Sequence, residues 1–432
     1  MPEAQPAPES RLQRELRRLA GAGWRGRAQR LGWGLSFALT LPFAALAYLG
    51  LRLAATVRPV RIGSLRPKGR ISIMISYLEP FLRGLELARG GRVWTIVINP
   101  GQDPNPQLSR MYRRAVTLLD DAHPWLRHLM LVTHRCFASR LPLHAPLRVG
   151  LTREFARAWK AGEPALRFTA EERASGERLL AGLGIPAGAA FMCFGLREAG
   201  YYQQFQTAAA LARDPNPETG EDTYVRNPPL KAYLPMAAQC ADAGLYALRM
   251  GQTVGERIPA GAHPRVLDYA AASRTDFGDI YLLAHCQFAV AGGAGLWWIA
   301  AAFNRPVVLT DHYAIATKPV RPGDLFIPKL VWWAAERRFL TFREMLEAGA
   351  RYTYAGACRE DGMELMHNTP DEITGVVREM RERVVGTWLD DAESEALQRR
   401  FNALYTPAHQ GDGMPGRIGA EFLRQHADLL EG

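Results

Sequence analysis

Short apolar runs alternate with amphipathic stretches along most of this chain. AAFMCFGL at 189–196, GLYALRMG at 244–251, FAVAGGAGL at 288–296 and PVVLTD at 306–311 are too short for core helices and lack an alternating polar face, so they read as buried strands. Stretches between them, such as LKAYLPMAAQCADA at 230–243, keep helical spacing. Strands buried on both faces and separated by helices imply a parallel sheet covered by helices, an α/β class. Helix boundaries are also legible. FTAEERASGERLLAGLGI at 168–185 pairs Thr169 with Glu172 as a capping box and stops at Gly182 and Gly184, and Thr369-Pro370-Asp371-Glu372 repeats the box with proline at the first helical position. Nearer the N-terminus, RISIMISY at 70–77 reads as a strand, 82–88 as helical and VWTIVI at 93–98 as a second strand, a β-α-β beginning. The breaker-rich loop NPGQDPNPQ at 99–107 leads into a helical SRMYRRAVTLL with Ser109 as its expected cap.

Two sheet-forming regions of this kind predict two facing Rossmann-like domains. The expected division is a basic N-terminal segment and linker at 1–69, a Rossmann-like domain at 70–165, a second at 166–360 and a helical region at 361–432. With 432 residues, 48% hydrophobic and 22% charged, the chain has ample material for two cores.

Charge changes the picture at one end. Of the net +10, all resides in residues 1–70, which carry 13 Lys and Arg against 3 Asp and Glu. The excess flanks LGWGLSFALTLPFAALAYLGL at 31–51, which holds no charged residue and would be about 31 Å long as a helix, enough to cross a bilayer core. Basic residues that bracket an apolar segment, rather than cover a folded face, point to a membrane surface and away from nucleic acid. Because both flanks are positive, charge assigns no orientation. A single span and an in-plane element, broken near Pro42 and Gly50, are both open. Five dispersed cysteines without C-x-x-C spacing indicate no disulfide framework or zinc site and favour a reducing compartment. The folded part is therefore expected at the cytoplasmic face of the inner membrane.

Ligands of open parallel sheets bind outside the carboxyl ends of the strands. There the sequence places Arg197 and Glu198, Arg249 and Gly251, and the turn Gly292-Gly293-Ala294-Gly295 between a strand and a helix. Glycines in such a turn let the backbone approach a phosphate, and tight packing of helix on strand also demands them. Arg197 fits a diphosphate as a guanidinium fork or pairs with a loop carboxylate. Arg226-Asn227 follows a loop-like insert and offers a second phosphate contact. Arg274, Asp276 and Asp279 open a helix; their carboxylates cap it or bind ribose hydroxyls. No D-x-D, H-E-x-x-H, G-x-x-x-x-G-K-[ST] or G-x-S-x-G motif occurs, so no metal and no resident cofactor is expected.

The segments LLAGLGIPAGAAFMCFGLREAGYY, YVRNPPLKAYLPMAAQCADAGLYALRMG, LDYAAASRTDFGDIYLLAHCQFAVAGGAGLW, NRPVVLTD and NTPDEI resemble bacterial glycosyltransferases of GT-B type from surface-polysaccharide biosynthesis, over about 165–390. More distantly the chain is similar to fucosyltransferases of the core α1,6 and nodulation-factor type. The resemblance implies a GT-B fold and a nucleotide-sugar donor whose diphosphate meets Arg197, whose nucleoside meets Asp279 and whose turn falls on Gly292 to Gly295. Ala294 departs from the small polar residue expected there, and the arginine motif lacks the family's histidine, so the donor's identity is not carried over. The implied reaction is metal-independent sugar transfer to a glycan or lipid-linked acceptor. Arg197, Glu198 and Asp276 are the catalytic candidates; Arg226, Asn227, Arg249, Gly251, Arg274, Asp279 and the turn are the donor contacts. A catalytically silent scaffold of a polysaccharide-assembly complex and a nucleotide-sugar epimerase are the alternatives.

Overall fold

The computed structural model describes residues 24–65, 70–89, 93–101, 103–140, 159, 162–198, 227–349, 351 and 355–431. In chain order Trp24–Val57 forms helix α1, Val60–Ser64 strand β1, Ile71–Arg89 α2, Trp94–Ile98 β2, Pro106–Tyr112 α3, Thr117–Leu119 β3 and Pro124–Phe137 α4. There follow Ala170–Gly182 as α5, Phe191–Leu196 β4, Leu234–Asp242 α6, Tyr246–Met250 β5, Val266–Leu267 β6, Tyr269–Ala272 α7, Asp276–His285 α8, Ala289–Gly292 β7, Trp297–Ala302 α9, Val307–His312 β8 and Leu325–Pro328 β9. Leu330–Trp333 (β10), Arg338–Phe339 (β11), Phe342–Ala348 (α10), Ala355–Glu360 (α11), Met363–Met366 (β12), Pro370–Val385 (α12), Ala392–Ala403 (α13), Arg417–Ile418 (β13) and Ala420–Gln425 (α14) complete the order. The chain divides into two compact units, Met1–Ser64 with Arg92–Gly101 and Thr117–Pro146, and Leu65–Gly91 with Gln102–Val116 and Leu147–Gly432.

The smaller unit is a parallel three-stranded sheet in the order β1-β2-β3, with Val60 opposite Trp94 and Ile96 opposite Thr117. Its core joins Val60, Ile62, Ile96, Ile98 and Leu119 to Leu51 of α1 and Met130 of α4. Strand β1 lies in what reads from the sequence as a basic linker. Arg58 and Arg61 mask it, although Val60 and Ile62 alternate inward as a strand requires. Within α1, Gly34–Val57 is long and apolar enough to cross a membrane.

The larger unit holds a seven-stranded parallel sheet in the order β13-β9-β8-β7-β4-β5-β6. Strands from all four apolar runs are present, so the α/β class and its parallel sheet are as expected. The first strand, β4, lies inside the sheet; the chain adds β5 and β6 on one side, then crosses back to add β7, β8 and β9 on the other. That is the doubly-wound order, and the reversal opens a crevice beyond the carboxyl ends of β4 and β7. Both expected capping boxes form, at Thr169 with Glu172 and at Thr369 with Glu372. A small antiparallel sheet, β11-β10-β12, stands apart from the main one.

Two local readings are corrected. RISIMISY is not a strand: it opens α2, which continues through Pro80 to Arg89. The helix is fixed by contacts remote in sequence. Glu79 and Arg83 form a fully buried ion pair at 3.0 Å, and Arg83 also donates to Ala302 O at the end of α9, to Trp159 O, Gly162 O and Asn304 Oδ1. Burial raises the Glu79 carboxyl above its usual range, with Arg83 opposing the shift. Ser109 is likewise not a cap. Asn105 caps α3 by accepting from Leu108 N at 3.0 Å, Pro106 takes the first turn, and Ser109 lies within the helix and donates to Asp103.

Candidate functional site

A cleft of about 370 Å³ opens at the crevice between β4 and β7. Its walls come from the strand ends and the segments that follow them: Arg197 and Glu198 after β4, Gly251 to Thr253 after β5, Gly293 to Trp298 after β7, and Thr310, His312 and Tyr313 at the end of β8. Arg70 and Ser72, where α2 begins, and Asp279 of α8 complete the lining. Its volume is that of a small-molecule site, and its position is the one open α/β sheets use for ligands.

Arg197 is buried at this wall, its backbone N–H donating to Gly292 O at 3.0 Å and so tying the end of β4 to the glycine turn. Glu198 does not pair with Arg197. Its two oxygens accept from Arg249 Nη2 and from the backbone N–H of Gly255. Arg249 also donates to Glu256 O and Asp268 Oδ2, so its buried guanidinium braces the loop after β5 from behind and does not line the cleft. Both of its oxygens are spent on bracing this loop, so the assignment of Glu198 as base is not carried forward.

Thr275 caps α8 by accepting from Gly278 N at 2.9 Å, which sets Asp279 one turn into the helix at the cleft wall. Arg274 binds Asp279 Oδ2 through Nε at 3.0 Å and Nη2 at 2.9 Å, and holds Asp276 at 2.6 Å. Asp276 is turned outward and lines no part of the cleft, so its catalytic assignment is not carried forward. Arg274 likewise stands behind the wall as the residue that orients Asp279. Among the described residues nothing donates to Asp279 Oδ1. Burial pushes this carboxyl up to about 7, against the pull of Arg274.

Unfolded, the group has a pKa of about 3.9, so between about pH 4 and 7 the folded chain holds a proton that the unfolded chain has lost. The stabilisation is complete below about pH 4 and disappears as pH rises through about 7. Asp279→Asn cannot titrate: between pH 5 and 7.5 the wild type is expected to lose about 1–3 kcal/mol more unfolding free energy than the variant. Urea unfolding at the two pH values measures it, and equal losses refute it.

The glycine turn has two separate causes. Gly293 has φ +67°, a left-handed conformation that favours glycine. Gly292 lies under Tyr233, and a Cβ there would stand 2.3 Å from the Tyr233 hydroxyl. Tyr233 cannot yield, because it is fully buried and its hydroxyl is held by Thr310 Oγ1 at 2.7 Å and Asp311 Oδ2 at 2.8 Å. Gly292→Ala is expected to cost about 1–3 kcal/mol in urea unfolding. If relief of this clash is the reason, Tyr233→Phe in the same chain recovers part of it. Gly293, Ala294 and Gly295 face the cleft, as does Gly251. The helix beyond the turn, α9, has only six residues, so the turn's backbone rather than a helix dipole is what an anion would meet.

Asn227 is half-buried and outside the lining, and Arg226 lies outside the described residues. Sequence reasoning missed His312, Tyr313 and Thr317, although the rule that found Arg197 applies equally to the end of β8. It missed Arg70 and Ser72 because the start of α2 read as a strand. His312 Nε2 is within 3.1 Å of Thr317 O and 3.0 Å of its Oγ1; burial lowers the imidazole to about 4, so it is neutral at physiological pH. Among the described residues no three His, Cys, Asp or Glu side chains gather as metal ligands.

No family model matches this chain, and no curated protein does. Among solved structures it is similar to the E. coli ADP-heptose lipopolysaccharide heptosyltransferase II, at a TM-score of 0.37 and 16% identity over 58% of this chain and 84% of that one. It is similar to a family 9 glycosyl transferase from Veillonella parvula at a TM-score of 0.35 and 11% identity, over 58% and 80%. E. coli heptosyltransferase WaaC with ADP gives 0.34 and 12%, over 62% and 90%.

Proposed function

We propose that this chain is a nucleotide-sugar-dependent glycosyltransferase of GT-B type that works at the cytoplasmic face of a membrane and transfers a sugar to a glycan or lipid-linked acceptor of surface-polysaccharide biosynthesis. The observation that carries the reading is the convergence, at the sheet's switch-point cleft, of a buried arginine, a buried carboxyl with an unpartnered oxygen, and a glycine turn that admits close backbone approach.

The chemistry follows from charge. In glycosyl transfer the bond between the sugar and the nucleoside diphosphate breaks, and negative charge grows on the leaving diphosphate. A guanidinium fork and backbone amides fixed beside it stabilise that charge without reorganising, the part a metal plays in other transferases. Arg197 and the turn at 293–295 supply those groups. Asp279, oriented by Arg274, accepts from ribose hydroxyls through its unpartnered oxygen. Trp297 and Trp298 line the same cleft and present aromatic surface to a base or sugar ring.

The test is a thermal-shift panel of GDP, UDP, ADP, CMP and TDP with the full chain, followed by donor turnover with the matching sugar nucleotide. A ligand bound only by the folded state adds about 2.7 kcal/mol at a hundredfold excess over Kd. One nucleotide is expected to raise the melting temperature. A folded protein that responds to none of them refutes the enzyme reading and leaves the scaffold, which Ala294 in place of a polar residue favours.

A further inference from the structure

The apolar face of α1 is split in two. Ala44, Tyr48, Leu51 and Ala55 recur at four-, three- and four-residue steps, which on a helix of 3.6 residues per turn is one stripe. That stripe is glued to the small sheet: Ala44 is 0% and Leu51 7% exposed, and Tyr48, Ala54 and Ala55 pack on the core formed by Ile62, Ile96, Ile98 and Leu119. Helix α4 runs alongside in the same direction. Ser36 Oγ meets His128 Nε2 at 3.1 Å, Thr133 Oγ1 meets Ala44 O at 3.5 Å, and the Tyr48 and Phe137 rings stack at 5.1 Å.

The opposite stripe, where a helix on a soluble sheet carries polar residues, is Leu35, Leu39, Leu46, Leu49, Leu53 and Val57, each between 60% and 91% exposed. Trp125, 84% exposed, and Leu126 open onto solvent in the first turn of α4, one turn before His128 and so at the Ser36 end of the pair. The stripe is about 33 Å long. At its far end only Arg58 and Pro59 separate α1 from the buried first strand of the sheet.

We infer that α1 lies in the plane of one leaflet of an anionic bilayer and does not span it, with its Leu35-to-Val57 stripe facing the lipid and the β1-β2-β3 sheet covering its other side. This rests on the membrane-docked reading above and decides between the two geometries the sequence left open. A span from 31 to 51 would carry the attached sheet, with Asp120 and Asp121 following β3, into hydrocarbon, where charges and sheet edges are costly. Lying flat, the same helix keeps its packed face. The choice of an anionic surface follows from the basic excess of residues 1–70, 13 Lys and Arg against 3 Asp and Glu, on both sides of the apolar segment.

The test uses the full chain carrying Cys136→Ser, with either Gln29→Cys or Arg58→Cys to flank the apolar segment. In inverted inner-membrane vesicles a membrane-impermeant maleimide is expected to label both sites, and in intact spheroplasts neither. Purified protein is expected to float with phosphatidylcholine vesicles that contain phosphatidylglycerol far more than with phosphatidylcholine alone. Leu46→Glu with Leu53→Glu, both on the exposed stripe, is expected to lower that partitioning about a hundredfold with the melting temperature unchanged. Labelling of the two sites from opposite sides, or undiminished flotation of the double variant, overturns the in-plane geometry while leaving membrane docking intact. Absence from both cell membranes and vesicles overturns docking itself, and this inference with it.

Discussion

Arg197→Ala is expected to weaken binding of the nucleoside diphosphate by about a hundredfold, the loss of a charge-assisted fork worth about 1.5–3 kcal/mol. Its backbone N–H, which ties β4 to the glycine turn, is kept in the variant, and a cooperative urea transition without ligand checks that the variant is folded before its affinity is compared. Arg197→Lys keeps the charge but not the planar fork and is expected to fall between the two. Calorimetric titration with the nucleotide that responds in the thermal panel measures all three. Equal affinity in wild type and Arg197→Ala would show that the diphosphate is held elsewhere.

The second large effect belongs to stability. Behind the cleft, Asp311 sits at φ +49° at the end of β8 and collects Lys329 Nζ at 3.2 Å, His367 Nδ1 at 2.9 Å, the Tyr233 hydroxyl at 2.8 Å and the Asn368 N–H at 3.2 Å. Burial alone would raise the Asp311 carboxyl, but His367 and Lys329 together hold it below the usual range, while burial lowers the Lys329 amine to about 8. At pH 7 both remain charged. Asp311→Ala leaves the buried ammonium without its counter-charge, with His367 Nδ1 still at 2.6 Å, and is expected to cost about 3–5 kcal/mol in urea unfolding. Adding Lys329→Met removes the stranded charge and is expected to restore part of the loss. No restoration would mean that the cost lies in the cavity or the strained backbone. Because Tyr233 also packs on Gly292, the same variant is expected to weaken nucleotide binding through the turn.

The four strands at the heart of the larger unit, both capping boxes and the cleft segments that follow β4, β5 and β7 were legible from pattern and turn chemistry alone. Continuous apolar runs allow few other states, and in a parallel sheet whatever follows a strand's carboxyl end faces the ligand side. Arg197, Gly251, Asp279 and the glycine turn meet for that reason, although they are spread over about a hundred residues. The sequence also determined that 31–51 is apolar and flanked by positive charge.

Tertiary structure alone decided the rest. RISIMISY has the composition of a strand and becomes a helix because Arg83, one turn past Pro80, is anchored by carbonyls at 159, 162 and 302 that no local window contains. The strand at 60–64 was hidden by arginines and exists because β2 supplies its partner more than thirty residues on. Among the polar residues at strand ends, sequence could not separate those that face the cleft from those that brace it. Arg249 and Arg197 carry the same charge near the ends of neighbouring strands, three register positions apart, yet one is turned back by Glu198 and Asp268 while the other reaches the wall. Both faces of α1 are apolar in composition, and only the sheet packed on one of them leaves the other for lipid. Side-chain direction of this kind depends on which distant carboxylate or carbonyl offers the better partner, which is a property of the assembled fold.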